Sequence, residues 1–305
     1  MYPRLGIDIG GTKISAVVMD EDGVVRGRAV QDTPAEHGGD AIVAACHSAA
    51  SIATARAGIT PRVAGAGAAG VIDADGVVLA ASDSFAGWAG YALGDELNRS
   101  LGMPVRAGND VAAFVLGEQR FGAGRFLPNF FGIALGTGVG GSLVLDSALH
   151  TGETGAAAEI GHIPGFGDRL CTCGRRGHLE TLASGRSIAT LFAEATGRQH
   201  TAKEIAELAR GGDADAESIF RAAGAGVARA ALIVSGVLDI STIVIGGGVA
   251  HAWDLLQPAV DAELLSSPPI SGNSVSILKS ALGSDAVAIG ASQFADSLPS
   301  ARVIC

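Results

Sequence analysis

The stretch Leu5–Asp20, LGIDIGGTKISAVVMD, decides how this chain folds. An apolar run covers Leu5–Ile9, a glycine pair interrupts it at Gly10 and Gly11, and a second apolar run covers Ile14–Met19. That pattern is a strand, a glycine turn and a strand. Asp8 sits inside the first run, between Ile7 and Ile9. A carboxylate there is costly to bury unless something pairs with it.

The same hairpin occurs again. GIDIGGTKISAVVMD (Gly6–Asp20) and GIALGTGVGGSLVLD (Gly132–Asp146) align without a gap at an offset of 126. Gly6 meets Gly132, Gly10 meets Gly136, Val18 meets Val144 and Asp20 meets Asp146. Two such hairpins indicate a duplicated half-domain, one copy opening each lobe. The difference is chemical: Ala134 stands where the first copy has Asp8.

Working outward, "EDG" (Glu21–Gly23) is a turn and "VVRGRAV" a third strand. A helix with apolar residues at helical spacing ends at Gly58, and "RVAGAGAAGVID" is a buried strand entering a glycine-rich loop. "MPVRAGND" is a strand delivering Asn109 and Asp110 to a loop before a helix that starts near Val111. Beyond the second hairpin lie a Cys/His segment, several helices (one opened by a Thr201–Glu204 capping box) and "ISTIVIGGGVA", a strand running into three glycines. A last helix, "DAVAIGASQFADSL", is placed to return to the first lobe. The expected division is a small α/β lobe of residues 1–117 plus 288–305 and a large one of 118–287.

Composition narrows the function. The chain has 305 residues, 45 of them glycine, and a formal net charge of −10. That charge disfavours a general nucleic-acid binder, which needs clustered Lys and Arg, but leaves room for a nucleotide site built from backbone N–H groups and a metal. No charged leader precedes an apolar run, and no uninterrupted apolar run reads as long enough to cross a bilayer, so the expected setting is the cytoplasm, away from membranes. Four cysteines in a chain of this length are not a disulfide framework.

Three glycine turns follow strands: DIGGT, LGTGVGG and IGGGVA. Each lets backbone N–H groups approach an anion with no Cβ in the way. None has the Gly-Lys-Ser/Thr ending of a P-loop.

The motifs DIGGT, GNDVAAFVLGE, GTGVGG, AEIGH and CTCGRRGHLE occur in the order found in the ROK family of sugar kinases and sugar-responsive repressors, which the chain resembles along essentially its whole length. The resemblance implies an actin/hexokinase-like (ribonuclease H-like) ATPase fold: two α/β lobes, a duplicated β-hairpin core and an interlobe cleft. It also implies transfer of the ATP γ-phosphoryl group to a sugar hydroxyl.

By that resemblance Asp8 orients Mg²⁺, directly or through water, beside Gly10, Gly11, Thr12 and Lys13. Gly136, Thr137, Gly138, Gly247 and Gly248 complete the nucleotide contacts. The other reading of Asp8 is a strand-end acid capping its own turn. Asp110 is the expected base for the attacking hydroxyl, and Asn109 suits neighbouring hydroxyls with its donor and acceptor. Alone, the dipeptide also reads as a helix cap. Glu159, His162 and Glu180 form the expected sugar clamp, although Glu180 by itself reads as a solvated helix-start acid.

The close spacing of Cys171, Cys173 and His178 suggests Zn²⁺, and the resemblance implies His162 as fourth ligand, giving a Cys₂His₂ set suited to a structural ion. His178 stands where the family pattern has a third Cys; the alternative is a metal-free thiol loop. Further departures are Ala69 in place of a usual Pro, Ser84 in place of an Asn, and Ala158 in place of a common Gly before Glu159. Trp88 either lines the sugar pocket or packs in the interior, and Cys46 reads as core.

The expected activity is an ATP-dependent sugar kinase acting on the primary hydroxyl of a hexose, glucose first, in a homodimer. An N-acylhexosamine kinase for N-acetylmannosamine or N-acetylglucosamine is the alternative within the enzyme class, and a sugar-sensing regulator the one outside it. Regulators of this kind carry an added helix-turn-helix, for which a hairpin beginning at Leu5 is expected to leave no room.

Overall fold

The computed structural model describes residues 2–80 and 85–297. The chain forms two compact units, Met1–Arg125 with Gly152–Ala156 and Ser284–Cys305, and Phe126–Thr151 with Ala157–Gly283.

In the first unit the opening hairpin is β1 (Arg4–Ile9) and β2 (Lys13–Met19), followed by β3 (Val25–Asp32). Helix α1 (Gly38–Ala57) ends where Gly58 takes a left-handed conformation, as the sequence predicts. The buried segment after it divides into β4 (Val63–Ala68) and a short β5 (Val71–Ile72), which pairs with β6 (Val78–Ala80). Helix α2 (Leu93–Leu101), strand β7 (Val105–Asn109) and helix α3 (Asp110–Phe121) complete the run. The sheet order is β3-β2-β1-β4-β7: an antiparallel three-stranded meander, then two parallel strands.

The second unit repeats this plan. Strands β8 (Phe130–Leu135), β9 (Val139–Leu145) and β10 (Ala148–His150) form the meander. After the Cys/His segment come α4 (Glu180–Ala183), α5 (Gly185–Thr196), α6 (Ala202–Arg210), α7 (Ala214–Leu238), β11 (Thr242–Gly246), α8 (Trp253–Ser266) and β12 (Ser276–Lys279). The order β10-β9-β8-β11-β12 matches the first sheet strand for strand. Both boundaries of β1 and of β2 reappear in β8 and β9 displaced by 126, the offset at which the two sequences align.

The C-terminal helix Ala286–Phe294 packs on the first unit's sheet, as its sequence suggests. Its backbone lies so close that a Cβ on Gly65 would fall 1.7 Å from the carbonyl oxygen of Ala291, and one on Gly6 1.8 Å from that of Ala288. Only glycine permits this approach. The expected domain limits need correction here. A break at 117 cuts α3, which the first unit keeps whole, and one at 288 cuts the C-terminal helix inside its first turn.

Helix α7 bears on the expectation that no uninterrupted apolar run crosses a bilayer, although Arg221 and Arg229 interrupt its sequence. It is 25 residues long and apolar enough, by length and composition, to cross a membrane. Half of its apolar window is buried in the second unit's core, where Phe220, Val227 and Val234 pack with Leu179, Phe192 and Leu256. Core packing accounts for that composition.

Candidate active site

In the first unit, β1 carries Asp8 toward the glycine turn. The turn closes with the Gly10 N–H donating to the Lys13 carbonyl at 3.0 Å. Thr33, which sequence reasoning missed, holds it from β3's far end: its hydroxyl donates to the Gly10 carbonyl at 2.7 Å and its N–H to the Thr12 carbonyl at 3.1 Å. Gly11, Thr12 and Lys13 are left exposed, their side of the turn open to a ligand.

Asp8 is partly buried, and its carboxylate accepts no hydrogen bond among the described residues, so it does not cap its own turn. Burial, reinforced by the negative charge of Asp110, pushes its pKa up to about 7. Two carboxylates close enough to repel one another are a donor pair that can accommodate a divalent cation.

Asp110 is not in a loop, as the sequence reading has it: it is the first residue of α3, and Asn109 is that helix's N-cap. The Asn109 side-chain oxygen accepts from the N–H groups of Val111 (2.9 Å) and Ala112 (3.0 Å), and its amide donates to the Gly70 carbonyl at 3.0 Å. One amide hydrogen remains for a substrate. The helix start therefore fixes Asp110, whose carboxylate accepts from the Val111 N–H at 2.9 Å, at the end of β7.

Trp88 is buried and donates its indole N–H to the Ala69 carbonyl at 3.1 Å, stacking on Tyr91. It belongs to the interior rather than to a pocket wall. Cys46 is core, with burial and the nearby Asp8 charge pushing its thiol up to about 12. Ser84 and Cys305 lie outside the described residues.

The second unit gathers the remaining candidates. Its hairpin turn closes with Gly136 N–H to Gly138 carbonyl at 2.9 Å; the donor is the counterpart of Gly10, while the acceptor is one residue earlier than the counterpart of Lys13. The start of α5 seals it, with Gly185 N–H donating to the Gly136 carbonyl at 2.8 Å and Arg186 N–H to that of Thr137 at 3.4 Å. Gly247, at φ +91°, lies against the end of β8, where a Cβ would sit 2.5 Å from the Leu135 carbonyl oxygen; Gly248 faces open space.

Glu180 opens α4 but is buried, not solvated. One carboxylate oxygen, Oε2, accepts from the Val139 N–H at 3.1 Å, and the other, Oε1, from the Thr172 hydroxyl at 2.8 Å. A Cβ on Gly138 would fall 2.6 Å from Oε2, so this glycine makes room for the carboxylate. Glu159 precedes the 3₁₀ turn Ile160–His162, which rides on β9 so tightly that a Cβ on Gly161 would meet the Val139 carbonyl oxygen at 1.9 Å. Burial pushes the Glu159 carboxyl up, the neighbouring His162 opposes this, and the Glu180 charge adds to it. The Glu159 carboxyl is therefore within electrostatic reach of both His162 and Glu180. Ala158 sits at φ +71°, a left-handed conformation that strains any side chain.

His162, Cys171, Cys173 and His178 bring one ligand atom each to within 4.8 Å of one another. Cys171 Sγ lies 3.7 Å from His162 Nδ1, and Cys173 Sγ 3.3 Å from His178 Nδ1. Tetrahedral zinc, with Zn–S near 2.3 Å and Zn–N near 2.0–2.1 Å, has S···N edges of about 3.6 Å, which these distances bracket. Burial, with the charges of His162 and Arg175, pushes His178 down toward the neutral imidazole that binds metal. The donor set fits Zn²⁺ with all four positions filled by protein.

The ROK family model matches residues 4–297. The chain belongs to the ROK family. A glucokinase of Thermotoga maritima is 33% identical over 267 residues, 83% of this chain and 84% of the relative. An N-acetylmannosamine kinase of Haemophilus influenzae is 32% identical over 94% of this chain and 93% of its own length. Among solved structures, a ROK-family glucokinase from Streptomyces griseus, in complex with glucose and AMPPNP, superposes with a TM-score of 0.85 at 31% identity. It covers 95% of this chain and 98% of its own. The architecture is therefore the actin/hexokinase-like ATPase fold, and this ROK chain is a kinase-type phosphotransferase.

Proposed function

We propose that the chain is an ATP- and Mg²⁺-dependent hexokinase whose first substrate is glucose, phosphorylated at the primary hydroxyl. The observation that carries this reading is that Asp8, next to last in β1 beside an open glycine turn, feels the charge of Asp110, held at the start of α3. Regulators need only bind a sugar; a base beside a second carboxylate serves phosphoryl transfer.

Each group has a role that its surroundings support. Asp110, held by α3, accepts the proton of the sugar hydroxyl as that oxygen bonds to the γ-phosphorus and the bond to the ADP oxygen breaks. Asn109 donates its spare amide hydrogen to a neighbouring hydroxyl. Glu159, His162 and Glu180 take further hydroxyls, carboxylates being strong acceptors and imidazole able to donate or accept. Asp8 would hold Mg²⁺, which neutralises phosphate charge when bound. Backbone N–H groups of the turns at Gly10–Lys13, Gly136–Gly138 and Gly247–Gly248 would receive the nucleotide phosphates. His162, Cys171, Cys173 and His178 would hold a structural Zn²⁺ that fixes the clamp segment and, having no open position, activates no water. A cytoplasmic homodimer completes the proposal on the family's pattern.

The N-acylhexosamine alternative is favoured by the Haemophilus influenzae relative. Coupled ADP release with Mg-ATP across glucose, mannose, fructose, N-acetylglucosamine and N-acetylmannosamine separates the two. Turnover highest on glucose is expected. Turnover confined to an N-acetylated sugar replaces glucose by the alternative, and none on any sugar overturns the kinase reading. Asp110→Ala should abolish turnover while leaving sugar binding largely intact.

A further inference from the structure

Thr172 lies between the two cysteines of the Cys-Thr-Cys turn and is neither a candidate metal ligand nor one of the clamp residues. The turn is a miniature hairpin: Leu170 bridges Arg176, Cys171 N–H donates to the Arg175 carbonyl at 2.7 Å and Gly174 N–H to that of Cys171 at 2.9 Å. From its tip the Thr172 hydroxyl reaches Glu180 Oε1 at 2.8 Å.

That bond governs how Glu180 is aimed. Oε2 is tied to β9 through Val139, so the carboxylate can still swing about that single anchor. Oε1 has two side-chain neighbours, the Thr172 hydroxyl and the Cys171 sulfur at 3.6 Å. A thiol is a weak donor, and a sulfur that ligates a metal has no proton to give. Packing does not do the work on this side. A cavity of about 400 Å³ lies along Asp168–Thr172, Arg176, Glu180 and the face of α5 that carries Arg186, Ser187 and Thr190. With open volume beside it, a charged carboxylate keeps its orientation through hydrogen bonds.

We propose that Thr172 is a positioning residue for sugar binding: its hydroxyl fixes the Glu180 carboxylate and so couples the candidate zinc turn to the sugar clamp. The inference rests on the reading of Glu180 as a sugar ligand. It names the side chain through which the metal turn acts on the clamp.

The test compares Thr172→Val, which keeps the shape and removes the hydroxyl, Thr172→Ser, which keeps the hydroxyl, and Glu180→Gln. Glucose binding is measured by calorimetry without nucleotide, KM for glucose and for ATP by ADP release, and zinc by metal analysis of the purified protein. Loss of a hydrogen bond to a charged group should weaken glucose binding about tenfold or more in Thr172→Val, with KM for glucose rising far more than kcat falls. KM for ATP and zinc content should stay at parent values, and Thr172→Ser should bind like the parent. Thr172→Ala, which cannot crowd the turn, should repeat the valine result.

Three results overturn the proposal alone. The first is parent-like glucose binding in Thr172→Val while Glu180→Gln is weakened. The second is a serine variant as weak as the valine one. The third is zinc lost in step with glucose affinity, which would make Thr172 a residue of turn folding. Parent-like glucose binding in Glu180→Gln overturns the clamp reading, and this inference with it.

Discussion

Asp8→Asn offers a test in which stability and chemistry move in opposite directions. In the protein without divalent cation, burial and Asp110 push Asp8 up to about 7 from an ordinary 3.8. A carboxyl whose folded-state pKa is raised binds its proton more tightly when folded. Its contribution to stability is complete below about pH 4 and is lost as pH rises through 7. A shift of about three units corresponds to about 4 kcal/mol, falling away at about 1.4 kcal/mol per pH unit between the two values. Asparagine has nearly the same shape and no proton to lose. Urea unfolding followed by circular dichroism, at pH 4 to 8 with no added divalent cation, should therefore show a stability difference between variant and parent that grows by about 4 kcal/mol toward pH 8 in favour of the variant. Adding Mg²⁺ and nucleotide at pH 8 should restore the parent, because the cation replaces the missing proton, and should help the variant much less. Activity should be lost in the variant throughout. Parallel curves of stability against pH would refute the reasoning, since they would mean that Asp8 is ionised at no cost in the folded protein.

Asn109→Ala removes the cap of α3 and should lower stability by about 1 kcal/mol in thermal or urea unfolding, together with a higher KM for sugar. Cys173→Ser takes one donor from the Cys₂His₂ set and should reduce zinc content and the melting temperature, measured by metal analysis and calorimetry. Ala158→Gly relieves the left-handed strain at φ +71° and should raise stability by ~0.5–1 kcal/mol, checked by urea unfolding. Gly65→Ala would drive a methyl group into the Ala291 carbonyl and should cost about 3 kcal/mol, checked the same way against the parent.

Asp110 and Glu180 show how the sequence reading and the structure divide the site between them. The ND dipeptide reads either as a cap or as catalytic residues, and the structure assigns capping to Asn109 while the same helix start holds Asp110. The two readings were never exclusive, because a helix N-terminus positions whatever stands at its first residue. Glu180 by itself reads as a solvated helix-start acid; it is buried because Val139 and Thr172, distant in sequence or across a turn, supply its hydrogen bonds. Thr33 carries no local signal at all: its contact with Gly10 spans 23 residues and exists only once β2 and β3 pair.

By itself the sequence determined what depends on neighbours along the chain: the alternating strands, the glycine turns, the Thr201–Glu204 capping box, and a hairpin repeated at an offset of 126 that reappears in two sheets of one order. Periodicity and turn chemistry are local properties, so they can be read in one dimension. Tertiary structure alone decided which carboxylates are buried, what holds them, and why Gly6 and Gly65 must be bare where a helix from the far end of the chain lies on them. Burial and close approach depend on residues brought together across hundreds of positions, and no local pattern records them.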